Sequence, residues 1–346
     1  MTTMLHRRFL LRSFARAGAL ALVVALVPAP ARAQVAPILP PGVAKLPFQR
    51  LAFDTDHSGI EFRVGFMGVS SVHGDFERWE GTMMYDPVHF ERTTVTVAIL
   101  AESVNTGVPA RDRDLRSDHF FDAKKFPYIV FASTGIVPHG QSYTMTGNLT
   151  MHGVTKAVAL EVTPLHPLVR DAWRNERIGF TGKTSLNRKD FGIEGIAFWN
   201  NEFDPGRRAI ADRVDVELTV EAELANMGNR STPQVDALMK QIGSGGVAPA
   251  LAGVPKDAPA DEVRTEKQTL AMVGAKLFQN GQFADALAVY RASSGLDPSD
   301  ATALAALGEA ELLTGDRKRA VADFKRALAA DPTNTAALEY LRHLGT

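Results

Sequence analysis

The sequence predicts a mainly β protein built on antiparallel strands, followed by a small all-α repeat domain. Three observations predict it. Between about 49 and 224, apolar and polar residues alternate with a period of two. From 263 to 346 the apolar spacing is helical and repeats after 34 residues. Between these regions, 225–262 is rich in Gly, Ala, Pro and Ser (GSGGVAPALAGVPKDAPADE). It reads as a flexible linker, with a short helix as an option for Pro233 to Ile242.

The first 33 residues are expected to be removed rather than folded. Arg7, Arg8, Arg12 and Arg16 precede an apolar run from Ala17 to Val27, and Ala31-Arg32-Ala33 places small residues where a signal peptidase reads them. That run is too short for the ~20 residues that span a bilayer, so a secretory signal with cleavage before Gln34 is favoured over an anchor. The expected location is the periplasm, by the Sec or the twin-arginine route, with no transmembrane span once the signal is gone. Residues 34–48 are Pro-rich and read as an extended leader.

Composition narrows the function classes. The chain has 346 residues, 45% hydrophobic and 22% charged, which allows two domains of ordinary globular type. Beyond residue 33 it carries 33 basic and 39 acidic residues, a net charge of −6. No nucleic-acid-binding face is indicated. There is no cysteine, which excludes disulfides, thiol catalysis, Cys-ligated zinc and iron–sulfur clusters. No cofactor is expected.

Val214, Val216, Leu218 and Val220 alternate with Asp215, Glu217, Thr219 and Glu221, as in a strand with one apolar and one wet face. Val95, Val97 and Ile99 alternate with Thr94, Thr96 and Ala98, and Val158, Leu160 and Val162 with Ala157, Ala159 and Glu161. Further strands are expected at 49–56, 59–67, 73–86, 127–138, 142–151 and 176–187, separated by turns such as Asp86-Pro87 and His152-Gly153. Eight or nine strands in this length make a sandwich or a closed barrel. Residues 109–121 (PARDRDLRSDHFF) break the pattern and read as a short helix or ordered loop capping one end.

In the C-terminal region Gly274 recurs as Gly308, Gly281 as Gly315, Ala286 as Ala320, Tyr290 as Phe324, and Asp297-Pro298 as Asp331-Pro332. Period and residue classes resemble the tetratricopeptide repeat over 267–332, with 335–344 as a capping helix. Such repeats imply a protein partner. Lys276, Gln279, Arg317 and Lys318 are candidates for the partner surface.

The β region carries a longer set of motifs. Asp54-x-x-His57-Ser58 leads into Ile60-Glu61-Phe62, then Gly74-x-Phe76, Glu80-Gly81-Thr82 and Tyr85-Asp86. Arg111-Asp112-x-x-Leu115-Arg116-Ser117-x-x-Phe120-Phe121-Asp122 runs on to Phe126-Pro127 and Phe131-x-Ser133-Thr134. Gly147-x-Leu149-Thr150-x-His152-Gly153-Val154-Thr155-Lys156 is the most specific string, followed by Asn187-Arg188-x-Asp190-Phe191-Gly192 and Val214-x-Val216. In order and spacing these resemble the YceI-like family over 49–224. The resemblance implies a lipocalin-like barrel that holds a polyisoprenoid or similar long-chain lipid without catalysing a reaction. The chain departs from the family pattern at Asp114, where histidine is usual, at His119, where an acid is usual, and at Gly65-Phe66, where Lys-His is common.

Two sets of residues are candidates for the ligand. Phe62, Val64, Phe66, Phe76, Val130, Phe131, Met145, Leu149 and Phe180 are expected to wall an apolar cavity, or alternatively to fill the barrel themselves. Arg111, Asp112, Arg116, His119 and Arg188 are candidates for a polar head-group, since guanidinium forks suit phosphate or carboxylate. The alternative, which is favoured, is a salt-bridged loop that braces the cap. His57 and His152 stand near turns without convergent partners and read as structural. No nucleophile elbow, P-loop or dinucleotide fingerprint is present. The leading expectation is a carrier of a long-chain isoprenoid or fatty-acyl lipid. An envelope adaptor, whose repeats recruit a partner and whose barrel is structural, is second, and an enzyme acting on a lipophilic substrate is third.

Overall fold

The computed structural model describes residues 48–165, 168–171, 175–224, 231–254 and 259–346. The expected signal and residues 34–47 of the leader lie outside these, as do 225–230 and 255–258 of the expected linker. Strands β1 (Gln49–Phe53), β2 (Gly59–Phe66), β3 (Ser70–Phe76) and β4 (Trp79–Tyr85) precede β5 (Thr94–Leu100), β6 (Val104–Asn105) and helix α1 (Pro109–Arg116). Next come β7 (Tyr128–His139), β8 (Ser142–Met151), β9 (Val154–Pro164), β10 (Val169–Arg170) and β11 (Glu176–Asn187). The β region ends with the short helix α2 (Ala197–Asn200), the hairpin of β12 (Glu202–Asp204) and β13 (Arg207–Arg208), and the long β14 (Ile210–Leu224). The stretch 73–86 is two strands rather than one. Glu77 and Arg78 turn the chain there, the Glu77 amide bonding Ser103 and the Arg78 carbonyl accepting from Leu100.

Among the described residues, eight antiparallel strands close a ring: β1, β4, β5, β7, β8, β9, β11 and β14, with β14 returning to β1. Closure leaves no open edge along this ring. The first half of β14 pairs with β2, which carries β3 and β6 outward as a flap. The expected choice between sandwich and barrel is thus decided for the barrel. Its interior packs as two clusters, one toward each end. Met83, Ile136, Met145, Leu160 and Phe180 form the first, and Ile99, Ile129, Leu149, Met151 and Phe191 the second. Val97, Phe131, Val158 and Leu218 touch both. Phe90, from the β4–β5 connection, plugs the first end by packing on Phe180 and Tyr143, with ring centroids 5.7 and 4.6 Å away. Helix α1 and the loop after it lie over the second cluster, to which Leu115, Phe120 and Phe121 belong.

The segment expected as a flexible linker is largely helical. Helices α3 (Pro233–Gly245) and α4 (Val247–Leu251) precede α5 (Ala260–Gln279). The Thr232 hydroxyl caps α3 by accepting from the Val235 amide, and Pro233 sits where a helix tolerates proline. Val235, Leu238 and Ile242 share one face and pack with Leu270, Val273 and Leu277 of α5. This apolar stripe outweighs the disordering effect of the glycines that follow it. The repeats are α5 with α6 (Phe283–Leu296), and α7 (Ala301–Leu313) with α8 (Arg317–Ala330), closed by α9 (Thr335–Leu344). A Cβ at Gly308 would stand 2.8 Å from the Phe324 ring, and one at Gly274 2.9 Å from Tyr290, so glycine lets paired helices approach. Among the described residues no helix is long and apolar enough to cross a membrane.

The helical part is docked on the barrel wall. Outward-facing Thr94 and Thr96 of β5 donate to the Glu339 carboxylate of α9 at 2.5 and 2.6 Å. Thr82 of β4 bonds Thr335 at 2.8 Å, and the Arg342 guanidinium donates to the Ser133 carbonyl. Met84, also outward on β4, is fully buried in the cluster of Leu304, Phe324 and Tyr340. Arg50 of β1 bridges Glu309 of α7 at 2.9 Å.

Candidate functional site

Between the two packed clusters lies a cavity of about 860 Å³. That is toward the upper end of ligand pockets, which run from about 300 to 1,000 Å³. Alternation along each strand decides its lining. Phe62, Val64 and Phe66 of β2 point in, as do Phe76 of β3, Phe131 of β7, Met145 and Leu149 of β8, and Phe180 of β11. Val130 does not. Successive side chains of a strand leave by opposite faces, so with Ile129 and Phe131 on the wall Val130 is turned outward, contrary to its expected place. Gly147, which opens the most specific string, lies beneath Phe131. A Cβ there would collide with the ring, so glycine lets it lie flat on the wall. The inward Val214, Val216 and Val220 of β14 belong to neither packed cluster, because they face the void.

The polar candidates divide. Arg111 and Asp114 of α1 reach the wall; the Arg111 Nε donates to Thr106 Oγ1 at 2.8 Å and its Nη2 to the Thr106 carbonyl at 3.0 Å. Asp112, Arg116 and His119 are not on the wall, and their bonds show why. Buried Asp112 accepts from the Thr106 amide and hydroxyl at 2.9 and 2.5 Å. Arg116 donates to the Val104 carbonyl at 2.8 Å, and exposed His119 pairs with Asp114 at 2.6 Å. The Asp114 hydrogen bond holds the His119 pKa above its ordinary value. Phe66 adds an apolar ring to the wall.

Arg188 touches the cavity, but its guanidinium is fully engaged. Nε donates to Ala211 O, Nη1 to Ile193 O and Glu194 O, and Nη2 to Asn200 Oδ1 and Asp212 Oδ1. All five N–H groups are used, so Arg188 braces the segment 193–212 instead of receiving a head-group. Burial lowers its pKa, and Asp212 opposes that. Lysine offers three donors from one point and cannot reproduce the fork. Arg188→Lys is therefore expected to cost about 3 kcal/mol, read as a lower urea midpoint at unchanged slope.

Sequence reasoning missed Trp199. Its ring lines the cavity, and its Nε1 is buried without a hydrogen-bond partner among the described residues. It lies in IEGIAFWN, a segment with neither strand nor helix periodicity, so nothing in the pattern aimed it inward. His152 and His57 are structural, as expected. His152 Nδ1 donates to the Phe191 carbonyl at 3.0 Å, and His57 pairs with Asp54 at 2.9 Å. Among the described residues no group of three or more His, Asp or Glu is placed to hold a metal ion.

Of the repeat candidates, Gln279 borders a groove between α5 and α7, beside the Arg50–Glu309 bridge. Arg317 and Lys318 begin α8, outside that groove, and Arg317 donates to the Leu344 carbonyl at 2.6 Å.

The β region is similar to known proteins. A UPF0312 protein of Pseudomonas savastanoi pv. phaseolicola is 35% identical over 140 residues, 40% of this chain and 72% of its own length. A UPF0312 protein of Pseudomonas putida GB-1 is 31% identical over 185 residues, 53% of this chain and 90% of its own. A solved Campylobacter jejuni YceI protein is 28% identical, with a TM-score of 0.38, and the match covers 45% of this chain and 86% of that one. A tetratricopeptide-repeat model matches residues 276–335. Residues 51–222 match the YceI-like domain, and the chain belongs to that family.

Proposed function

We propose that this protein is an exported, periplasmic carrier that holds one long-chain isoprenoid or fatty-acyl lipid inside the barrel, without covalent chemistry. The observation that carries the reading is the cavity of about 860 Å³, walled almost throughout by apolar side chains between two packed ends. Such a space favours an alkyl chain, because each buried CH₂ contributes about 0.8 kcal/mol. Trp199 Nε1, Arg111 and Asp114, together with Glu61, Thr181 and Thr184, are polar groups on the wall that the ligand's end could meet. The repeats supply a second surface, the α5–α7 groove lined by Ala271, Ala275, Phe278 and Leu313, to which a protein segment would bind.

The test is mass spectrometry of an organic extract from gently purified protein. A single lipid class at about one molecule per chain is expected. A protein that is reproducibly lipid-free and takes up no added isoprenoid alcohol overturns the reading. The same preparation is expected to begin at Gln34 on N-terminal sequencing.

A further inference from the structure

A carrier of this kind must load and unload at a boundary between water and lipid, and one end of the barrel carries an exposed apolar patch beside its cavity. Phe198 and Phe203 are 47% and 53% exposed, Ile196 is 41% and Val69 is 78%. These belong to two separate segments that meet. The Phe198 and Phe203 rings pack edge to face with centroids 6.1 Å apart. The β12–β13 hairpin that carries Phe203 lies against the β2–β3 turn that carries Val69, where a Cβ at Gly68 would stand 3.3 Å from Arg207. The Met67 amide donates to the Ala209 carbonyl in the same place.

The patch adjoins residues of the cavity wall at two points. Phe198 packs on Trp199 at 5.0 Å, and Trp199 is part of the cavity wall. The Val69 amide closes its turn on the carbonyl of Phe66, another wall residue. The charges of the hairpin are paired locally: Arg207 faces Asp204 at 3.8 Å, and Arg208 faces Glu202 at 3.6 Å and also Asp212. The patch therefore presents aromatic and aliphatic groups with little net charge, which suits the interfacial zone of a bilayer better than a charged protein face.

We propose that the β12–β13 hairpin and the β2–β3 turn form a membrane-docking rim, which inserts Phe198, Phe203 and Val69 into a phospholipid surface and opens an apolar path between it and the cavity. The inference rests on the carrier reading for its purpose. Burial of these side chains provides weak, reversible attachment, which a shuttling carrier needs.

The test is flotation of the purified full-length chain with vesicles of phosphatidylethanolamine and phosphatidylglycerol. The wild-type chain is expected to float, and F198S/F203S to lose about ten-fold of the bound fraction. V69S, on the other segment and the most exposed of the set, is expected to lose a smaller share while its melting curve stays unchanged. Extracted lipid per chain is measured on every variant and is expected to be unaltered. The docking rim is overturned if the wild type does not float, or if the three substitutions leave flotation as it was. It is equally overturned if they abolish only capture of a purified protein partner. A chain that floats through these residues but never contains lipid keeps the rim and removes the carrier reading instead.

Discussion

Replacing Val216 with tryptophan is expected to empty the barrel of ligand without loosening it. Val216 sits midway along β14, points inward and belongs to neither packed cluster. In a filled core an added indole forces neighbours off their rotamers and costs about 1–3 kcal/mol. In a hollow barrel the ring occupies space that a ligand would take. Val216→Trp is therefore expected to lower the extracted lipid by about ten-fold or more, since the chain methylenes displaced are each worth about 0.8 kcal/mol. The ligand-free melting temperature should hold within about 3 °C or rise. A variant that melts well below this range and still carries the lipid would show that the interior at β14 is solid. Measuring both quantities on one preparation separates loss of a cavity from loss of a fold.

The second large effect is expected at Glu339. This carboxylate is fully buried between α9 and the barrel wall and accepts from Thr94 and Thr96, with Arg342 at 3.4 Å. Glu339→Lys places a cation beside Arg342 and His343 and leaves the Thr96 hydroxyl without its acceptor, while the Thr94 hydroxyl keeps only His343 Nε2 at 2.8 Å. Removing one member of a buried charged network costs about 3–5 kcal/mol. The expected result is separation of the helical part from the barrel, seen as a larger radius of gyration in small-angle scattering. Lipid content should be maintained, because Thr94 and Thr96 face outward while Val95 and Val97 face the cavity. Glu339→Gln keeps an acceptor and is expected to cost no more than about 1.5 kcal/mol. An unchanged radius for Glu339→Lys would mean that the remaining contacts, Thr82 with Thr335, Arg342 with the Ser133 carbonyl, Met84 in the cluster of Tyr340, and the Arg50–Glu309 bridge to α7, are enough to hold the helical part to the barrel. These contacts also bear on truncation: deleting the repeats uncovers Met84 and Thr96, so separating the domains at Glu339 is the cleaner way to assign lipid binding to the barrel.

The sequence by itself determined the main barrel strands and the repeat helices in their order, while it merged β3 with β4, read 233–251 mostly as linker and gave no sign of the β12–β13 hairpin. Two-residue alternation marked the strands, and its interruption at 109–121 placed the cap. The 34-residue period set the helix pairs, with the final helix at 335–344. These are local properties of backbone and side-chain spacing, and each can be read within one segment. Eight of the nine expected wall residues line the cavity for the same reason, and Val130 fails because a strand cannot send neighbours to one face. The polar set was less legible. Arginine and aspartate suit a head-group or a braced loop equally well on paper, and only the hydrogen bonds showed Arg188 saturated and Asp112 turned to Thr106. Three features needed the tertiary structure altogether. Whether the barrel is hollow depends on how rings from distant strands pack. Trp199 points inward because Arg188, through bonds to Ile193, Glu194 and Asn200, holds its segment. Thr94 and Thr96 alternate as any wet strand face would, yet α9 covers them, because Glu339, more than two hundred residues away, supplies the acceptor. Long-range contacts such as these have no signature in local spacing, since either partner alone reads as ordinary polar surface.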